Sequence, residues 1–312
     1  MRKGLPLIVT GLLALSACQL VGQDDAAADT RGLNTMAAFP LHTYLTDPST
    51  RDGKAVGAAQ WILAKKCMVR LGFAGFSTLN TKTVESTYPV RQGALSGLGT
   101  ISDDSPYGVD DPDQAAEHGY HNRKQEESSQ PLEWPADQYV ALTGQFDSGD
   151  SHRAHGHPVP EGGCLGQATR NIYGSAPGSA KINGIKVTGY YSLPFALWSE
   201  SHKAARKDPA WKKADRAWSA CMKKQGFRYP DPDGASLDSA WLGTQKPSGK
   251  ERKTAAADAR CKLDTDYIGT VHAIETRAQK TVIGKHRKDL DALRAAQERA
   301  AGNARRLIAT EK

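Results

Sequence analysis

The 312-residue sequence lacks any apolar run of the roughly 20 residues needed to cross a bilayer. It also lacks the Gly-x-Ser-x-Gly, Ser-x-x-Lys and His-Glu-x-x-His patterns of hydrolases, and it has no Walker or dinucleotide-binding fingerprint. Acidic and basic residues are interspersed, and no Arg/Lys cluster is dense enough to indicate a nucleic-acid partner. These absences leave a binding or interaction role favoured over an enzymatic one.

The sequence is also poor in apolar residues. Only 39% of its residues are hydrophobic, while it contains 30 glycines and 16 prolines. A chain of this composition buries a modest core and connects its elements by long irregular loops. Such a chain depends on covalent cross-links to compensate for the small core.

What the sequence does contain is a short apolar segment at its start. Arg2 and Lys3 precede an apolar run from Gly4 to Ala17, and small residues lead directly to Cys18. This pattern predicts a lipoprotein signal peptide over residues 1–17, with Cys18 carrying fatty acids such as palmitate after cleavage. The expected location is the outer face of the plasma membrane. Loss of Arg2 and Lys3 would lower the net charge from +7 to +5.

Residues 18–38 follow as a polar, Ala-rich segment without hydrophobic periodicity. We interpret this segment as a flexible tether, with a root-mean-square reach of about 20–25 Å. It would hold the folded part of the protein above the lipid surface.

Four cysteines remain after Cys18, an even number in an oxidising compartment. Two disulfides are therefore expected rather than free buried thiols. Four cysteines allow three pairings, among which the sequence alone does not choose. We favour Cys67–Cys164 and Cys221–Cys261, which are nearest neighbours along the chain.

Two segments share one helix pattern. Asp47-Pro48 begins a predicted helix that ends at Leu71, and Asp208-Pro209 begins one that ends before Gly226. Both end in the pattern Cys-Met-x-x-x-Gly-Phe, at residues 67–73 and 221–227. This spacing predicts a Schellman stop, with glycine in the left-handed conformation and contact between Met and Phe.

The remaining segments complete a mainly α, irregular and loop-rich architecture. Short helices are predicted over 137–144, 163–173 and 194–206, and a small hairpin within 181–191. The acidic segment 103–113 is expected to be a loop. The Ala-, Lys- and Arg-rich segment 249–307 predicts one long C-terminal helix, or two broken near Gly284, with the charged end in solvent.

We divide this architecture into two modules. Residues 39–190 are expected to form a loop-rich helical module containing Cys67–Cys164. Residues 191–312 are expected to form a helix-loop-helix module that contains Cys221–Cys261 and the long C-terminal helix.

Several short motifs, in order along the chain, resemble a family of actinobacterial (Streptomyces-type) secreted lipoproteins. They are Phe39–Tyr44, Cys67–Phe73, Tyr107-Gly108, His118–Tyr120, Pro160–Cys164, Trp218–Met222 and Asp258–Lys262. His42, where an acidic residue is usual, and the long charged C-terminus depart from the family pattern. The resemblance implies a helical protein facing the envelope and no established activity, so it assigns no catalytic residue.

Three histidines are the best candidates for chemistry. His152, His155 and His157 lie within six residues, and Asp150 and Glu161 are nearby. Imidazoles with one carboxylate can bind zinc or copper, although this spacing matches no defined zinc motif. A solvated polar loop is the simpler interpretation.

Three tryptophans suggest a binding surface instead. Trp134, Trp198 and Trp241 lie on or near predicted loops, where exposed indoles can stack on wall sugars or anchor a protein partner. Burial in the core is the alternative for each. Trp211 and Trp218 share one helix face and are expected in the core.

Two functional hypotheses are favoured over a third, a substrate-binding component of a transporter, because the sequence shows no alternating strand–helix pattern for two α/β lobes. The first is a non-enzymatic, lipid-anchored envelope protein that binds an envelope protein or a cell-wall polymer and needs no cofactor. The second is a metal-binding or metal-dependent hydrolytic lipoprotein that uses the loop of His152, His155 and His157.

Overall fold

Helices make up most of the described chain in the computed structural model, which covers residues 31–47, 49–84, 89–91, 105–121, 133–174, 180–182, 185–187, 192–242, 244 and 246–311. Within these residues there are ten helices and three short two-stranded pairs. The helices are α1 Arg51–Arg70, α2 Pro112–His118, α3 Ala136–Thr143, α4 Gly163–Tyr173, α5 Ser192–Ala205, α6 Pro209–Lys224, α7 Pro232–Ser236, α8 Gly249–Asp264, α9 Tyr267–Lys285 and α10 Arg287–Thr310. The mainly α fold class is confirmed.

The strands are only two or three residues long. They are β1 Val90–Arg91, β2 Glu133–Trp134, β3 Arg153–Ala154, β4 His157–Pro158, β5 Ala180–Ile182 and β6 Ile185–Val187. β1 and β2 are parallel, whereas β3–β4 and β5–β6 are antiparallel hairpins. The β5–β6 pair confirms the hairpin expected within 181–191. None of the helices in the described residues is long and apolar enough to cross a membrane.

Both predicted Schellman stops are present. Gly72 has φ +93° and Gly226 has φ +88°, so each occupies the left-handed region. The amide of Phe73 donates to Met68 O at 3.0 Å, and the amide of Gly72 donates to Val69 O at 3.0 Å. The amide of Phe227 likewise donates to the carbonyl of Met222 at 2.9 Å. These bonds pair the last carbonyls of α1 and α6, which would otherwise be orphaned.

The start of α6 was predicted correctly, whereas that of α1 was not. Asp208 caps α6 by accepting a hydrogen bond from Ala210 N at 2.8 Å. The side chain of Asp47 instead accepts from the amide of Ser49, and Thr50 caps α1 by accepting from Gly53 N at 3.0 Å. The helix therefore begins at Arg51. Pro48 lies outside the described residues.

The C-terminal segment forms three helices, which corrects the prediction of one or two. Besides the break at His286, near the expected Gly284, a second break occurs where Asp266 adopts φ +46°. The last helix, α10, does not project into solvent: it packs against α1 and α4. Its buried face carries Leu290 and Leu293 followed by a row of alanines, which lets the helices approach closely. The acidic segment also departs from expectation, because Asp111 caps helix α2.

Three hydrophobic clusters form the core. The first surrounds α6, α8 and α9, the second lies between α1, α5 and α10, and the third lies between the end of α1, α3 and α4. The first cluster joins Phe39 to Trp211, and the second joins Val56 to Leu290. Residue 190 is therefore not a boundary between separate cores, because two clusters include residues from both sides of it.

Both predicted disulfides are present. Cys67–Cys164 joins α1 to α4, and Cys221–Cys261 joins α6 to α8. The second bond lies beside a hydrogen bond of 2.9 Å from Trp218 Nε1 to Asp258 Oδ1. Both links join the C-terminal half of α6 to the C-terminal half of α8.

The last part of the predicted tether is packed rather than free. Residues 31–38 form short 3-10 turns, and the side chain of Asn34 is 1% exposed. Asn34 donates to Gly108 O at 2.7 Å and to Asp110 Oδ2 at 3.0 Å, and it accepts from Tyr107 N at 2.9 Å. These bonds fix the chain to the segment before α2. Cys18 and the rest of the predicted tether lie outside the described residues.

An ion pair is fully buried inside α8. Lys262 Nζ lies 3.1 Å from Asp258 Oδ2 and donates to Val109 O at 2.9 Å. Burial raises the pKa of Asp258, which the adjacent lysine opposes. The pair therefore ties the segment before α2 to the first cluster, at the cost of removing two charges from water.

Candidate aromatic cleft

The first wall of a candidate site is built by the stop at the end of α1. Because Gly72 reverses the chain there, Phe73 and the following 3-10 turn, Ala74–Thr78, fold back over the helix end. Phe73 and Phe76 are buried, and their ring centroids lie 6.3 Å apart at an angle of 65°. The edge-to-face arrangement is one that aromatic pairs favour.

Trp134 forms the second wall. Strand β2 places its indole parallel to the ring of Phe76, with centroids 5.2 Å apart, and to that of Trp61, at 5.8 Å. Trp134 is 6% exposed, so most of its surface lies against these neighbours. The stack joins α1, the 3-10 turn and β2 into one rigid side of the cleft.

The β3–β4 hairpin supplies the third wall. Its two turn residues, His155 and Gly156, both have positive φ, as in a type I′ turn. His155 Nδ1 lies 3.1 Å from the carbonyl oxygen of Leu71, and its ring lies 4.5 Å from that of Phe73. A carbonyl oxygen only accepts, so Nδ1 is the donor in this hydrogen bond.

Together these walls form an open cleft of about 530 Å³, a volume within the usual range for small-molecule sites. The described residues that line it are Gly72, Phe73, Gly75, Phe76, Thr78, Leu79, Trp134, Gln138 and His155, and none of these is Asp, Glu, Lys or Arg. Aromatic side chains are thus combined with a hydroxyl, an amide and an imidazole. Such a surface suits an uncharged ligand that has both apolar faces and hydrogen-bonding groups.

The three histidines proposed to bind metal do not converge. His155 turns toward Leu71, whereas the ring of His152 stacks on Phe146 at 4.7 Å and His157 lies exposed in β4. In the part of the chain that the structure describes, no group of three or more His, Cys, Asp or Glu side chains is placed to hold a metal ion. One of the three histidines instead lines the aromatic cleft.

The three candidate tryptophans are mostly buried. Trp241 is 1% exposed and donates through Nε1 to Ala235 O at 3.1 Å. Trp198 is partly buried, with its ring 5.0 Å from that of Phe39. Only Trp134 lines the cleft. Trp211 and Trp218 lie in the first cluster, as expected.

A second polar group lies between α5 and α9. Glu275 Oε2 is 3.0 Å from His202 Nδ1, and it accepts a hydrogen bond of 3.0 Å from Tyr107 Oη. The His202 side chain is 39% exposed, while that of Glu275 is 1% exposed. Within the described chain, no Ser, Thr or Cys side chain hydrogen-bonds to His202. The pair is thus a buried carboxylate held by two donors and not a nucleophilic arrangement.

Comparison of the chain with protein-family models, with curated proteins and with solved structures finds no match. The resemblance to actinobacterial secreted lipoproteins therefore stays a prediction.

The sequence contained part of the signal for the cleft. The Cys-Met-x-x-x-Gly-Phe pattern located Gly72 and Phe73, and the separate analyses of histidines and tryptophans included His155 and Trp134. Gly75, Phe76 and Gln138 stood out in no motif, because their role depends on how three distant segments meet.

Proposed function

We propose that this protein is an exported, lipid-anchored protein of the cell envelope that acts by binding, and that the aromatic cleft is its binding site. The observation that carries this proposal is the cleft, which has three buried aromatic rings and no charged side chain among the described residues that line it. The ligand class that suits it is a neutral saccharide of the cell wall, because sugar rings present apolar C–H faces and hydroxyl groups together.

Export is supported by the disulfides. Cys67, Cys164, Cys221 and Cys261 are all paired, and such bonds persist mainly in oxidising compartments. Cys18 is then the one remaining cysteine of the five in the sequence, directly after a short apolar run and small residues. This context supports its modification by fatty acids.

Mass spectrometry of the N-terminal peptide tests the anchor. We expect Cys18 as the first residue of the mature chain, carrying acyl groups, and we expect Cys18→Ser to abolish both cleavage and acylation. An intact N-terminus beginning at Met1, on a chain with reduced thiols, would contradict export and anchoring.

A cleft-filling variant tests the binding site. Gly75 lines the cleft, its φ is not in the left-handed region, and a Cβ at this position meets nothing within 4 Å. Gly75→Leu should therefore fill the cleft without straining the backbone. Gly284→Leu is a matched control, because a Cβ there is equally unobstructed and Gly284 is exposed on α9.

The measurement is calorimetric titration with N-acetylglucosamine oligosaccharides, which are neutral sugars of the kind found in wall glycans. We expect binding by the unmodified protein and by Gly284→Leu, and binding at least about tenfold weaker for Gly75→Leu, since about 1.4 kcal/mol of lost contact has that effect. Absence of binding by the unmodified protein, or equal binding by both variants, would contradict the assignment.

A further inference from the structure

All the charged side chains on one face of helix α6 are cations. Counted at 100° per residue, five basic side chains fall within an arc of about 120°, directly opposite the face that Trp211 and Trp218 bury in the first cluster. They are all exposed, and they are Lys212, Lys213, Arg216, Lys223 and Lys224. We call them the α6 basic face. The helix has one acidic residue, Asp215, which lies to the side and accepts a hydrogen bond from Tyr267 Oη at 2.8 Å.

The α6 basic face is not neutralised by the protein itself. Within the residues that the structure describes, none of its five side chains forms an ion pair or a side-chain hydrogen bond. The outer surface of α10 differs, since its arginines and lysine alternate with Asp291 and Glu298 and since Arg305 pairs with Asp52. The single sign of charge on α6 is therefore a local feature and not a property of every helix.

The α6 basic face also lies within reach of the proposed lipid anchor. Leu33 and Phe39, near the start of the described chain, pack in the same hydrophobic cluster as Trp211. The twelve residues that separate Cys18 from Arg31 give thirteen steps along the chain, which span at most about 45 Å in any conformation. The cluster that supports α6 is thus attached close to the point where the chain would leave the membrane.

We propose that the α6 basic face lies against the anionic headgroups of the membrane that holds Cys18, and that this contact orients the anchored protein on the bilayer. The proposal rests on the proposed lipid anchor. The apolar side of α6 is occupied by the core, so α6 meets the surface by charge alone and does not insert. Each cation near such a surface increases the bound population by about fivefold.

The test uses the full-length lipidated chain, reconstituted by its anchor into vesicles. One set contains equal parts of phosphatidylglycerol and phosphatidylcholine, and the other contains phosphatidylcholine alone. Amine-reactive labelling followed by mass spectrometry then reports the accessibility of each lysine. The control lysines, which are exposed on α9 and α10, are Lys280, Lys285 and Lys288.

On the anionic vesicles we expect the labelling of Lys212, Lys213, Lys223 and Lys224 to fall severalfold relative to the neutral vesicles. Labelling of the control lysines should stay unchanged. Molar salt should remove the protection, because it shortens the screening length to about 3 Å. Equal labelling of the two groups of lysines on anionic vesicles would overturn the proposal.

A pair of variants tests whether the charges themselves cause the contact. Lys212→Gln/Lys213→Gln/Arg216→Gln should abolish protection of Lys223 and Lys224. The matched variant Lys285→Gln/Arg287→Gln/Lys288→Gln removes the same charge from exposed positions outside α6 and should preserve that protection. An equal loss of protection in both variants would overturn the proposal in favour of a general charge effect.

The remaining outcomes separate this proposal from the proposed function. A chain that does not float with either vesicle lacks the anchor, which overturns both. A chain that floats but shows protection only when poly(glycerol phosphate) is added overturns the membrane contact and assigns the face to a wall polymer.

Discussion

The glycine that ends α1 has a second role that its counterpart at the end of α6 lacks, and substituting both separates the two roles. Gly72 and Gly226 have nearly the same φ, +93° and +88°. A Cβ added at Gly226 meets nothing within 4 Å, whereas one added at Gly72 would lie 2.7 Å from His155 Nδ1 and 3.1 Å from His155 Cβ. Gly72→Ala therefore tests whether the β3–β4 hairpin packs directly against the C-terminal end of α1.

The expected costs follow from this geometry. Placing a side chain on a residue in the left-handed region lowers the free energy of unfolding by about 1–2 kcal/mol. For Gly226→Ala we expect no loss beyond this amount. Gly72→Ala must also displace His155, breaking its hydrogen bond to Leu71, worth about 1 kcal/mol, and its contact with the Phe73 ring, worth about 0.5–1.5 kcal/mol. We expect a total of about 2.5–4.5 kcal/mol for Gly72→Ala.

Urea unfolding followed by tryptophan fluorescence measures these differences. A third variant, His155→Gly, removes the side chain that the new methyl group would strike, and glycine tolerates the φ of +46° at this position. The double variant Gly72→Ala/His155→Gly should lose less stability than the sum of the two single changes, by about 1.5–2.5 kcal/mol, because both single changes lose the same contacts of His155. Equal costs for Gly72→Ala and Gly226→Ala, or strict additivity, would refute the reasoning.

Three further predictions concern cross-links and buried polar groups. Removing the Cys67–Cys164 bond, with its sequence separation of 97, should lower the free energy of unfolding by about 4.7 kcal/mol. Removing Cys221–Cys261, with a separation of 40, should lower it by about 3.9 kcal/mol, and the reverse order in urea unfolding would contradict the loop-entropy argument. Lys262→Met should cost about 3–5 kcal/mol near neutral pH, because it leaves Asp258 buried without its partner. Burial raises the pKa of Asp258 in the folded state above its value in the unfolded chain. The stability that comes from protonating Asp258 is therefore fully present below the unfolded-state pKa, and it is lost as the pH rises through the folded-state pKa. The cost should thus shrink in mild acid and in the control Asp258→Asn/Lys262→Met, and a cost independent of pH would be inconsistent with this linkage. Asn34→Ala should expose residues 31–38 to limited proteolysis, since three hydrogen bonds hold that segment. Asn171→Ala, at an exposed position on α4, should not, and unchanged cleavage of Asn34→Ala would contradict this role.

Local sequence patterns succeeded where the cause of a structure lies within a few residues. Asp208-Pro209 predicted the start of α6 because the cap and the fixed φ of proline act within one turn. Gly72 and Gly226 predicted both helix ends because a Schellman stop needs only glycine and the hydrogen bonds around it. Cysteine parity predicted two disulfides, and proximity along the chain gave the right pairs.

Patterns failed where a distant segment decides the outcome. The charged sequence of α10 suggested a helix in solvent, yet its alanines at helical spacing pack against α1, which lies more than 200 residues earlier in the chain. The histidine loop suggested a metal site, yet His155 is drawn to a free carbonyl at the end of α1. The α6 basic face was overlooked because its cations are separated along the sequence by Trp218 and Asp215 and converge only on the helix surface.

By itself the sequence determined the helical class, the helix stops and the number of disulfides, since dihedral preferences, caps and cysteine parity need no partner from elsewhere in the chain. Only the tertiary structure decided that α10 is buried and that residues 31–38 are fixed in place. It also decided that Phe76, Trp134 and His155 line one cleft. Those outcomes depend on which surfaces meet in the folded chain. A segment is buried only when another segment packs against it, so its own sequence does not determine its burial.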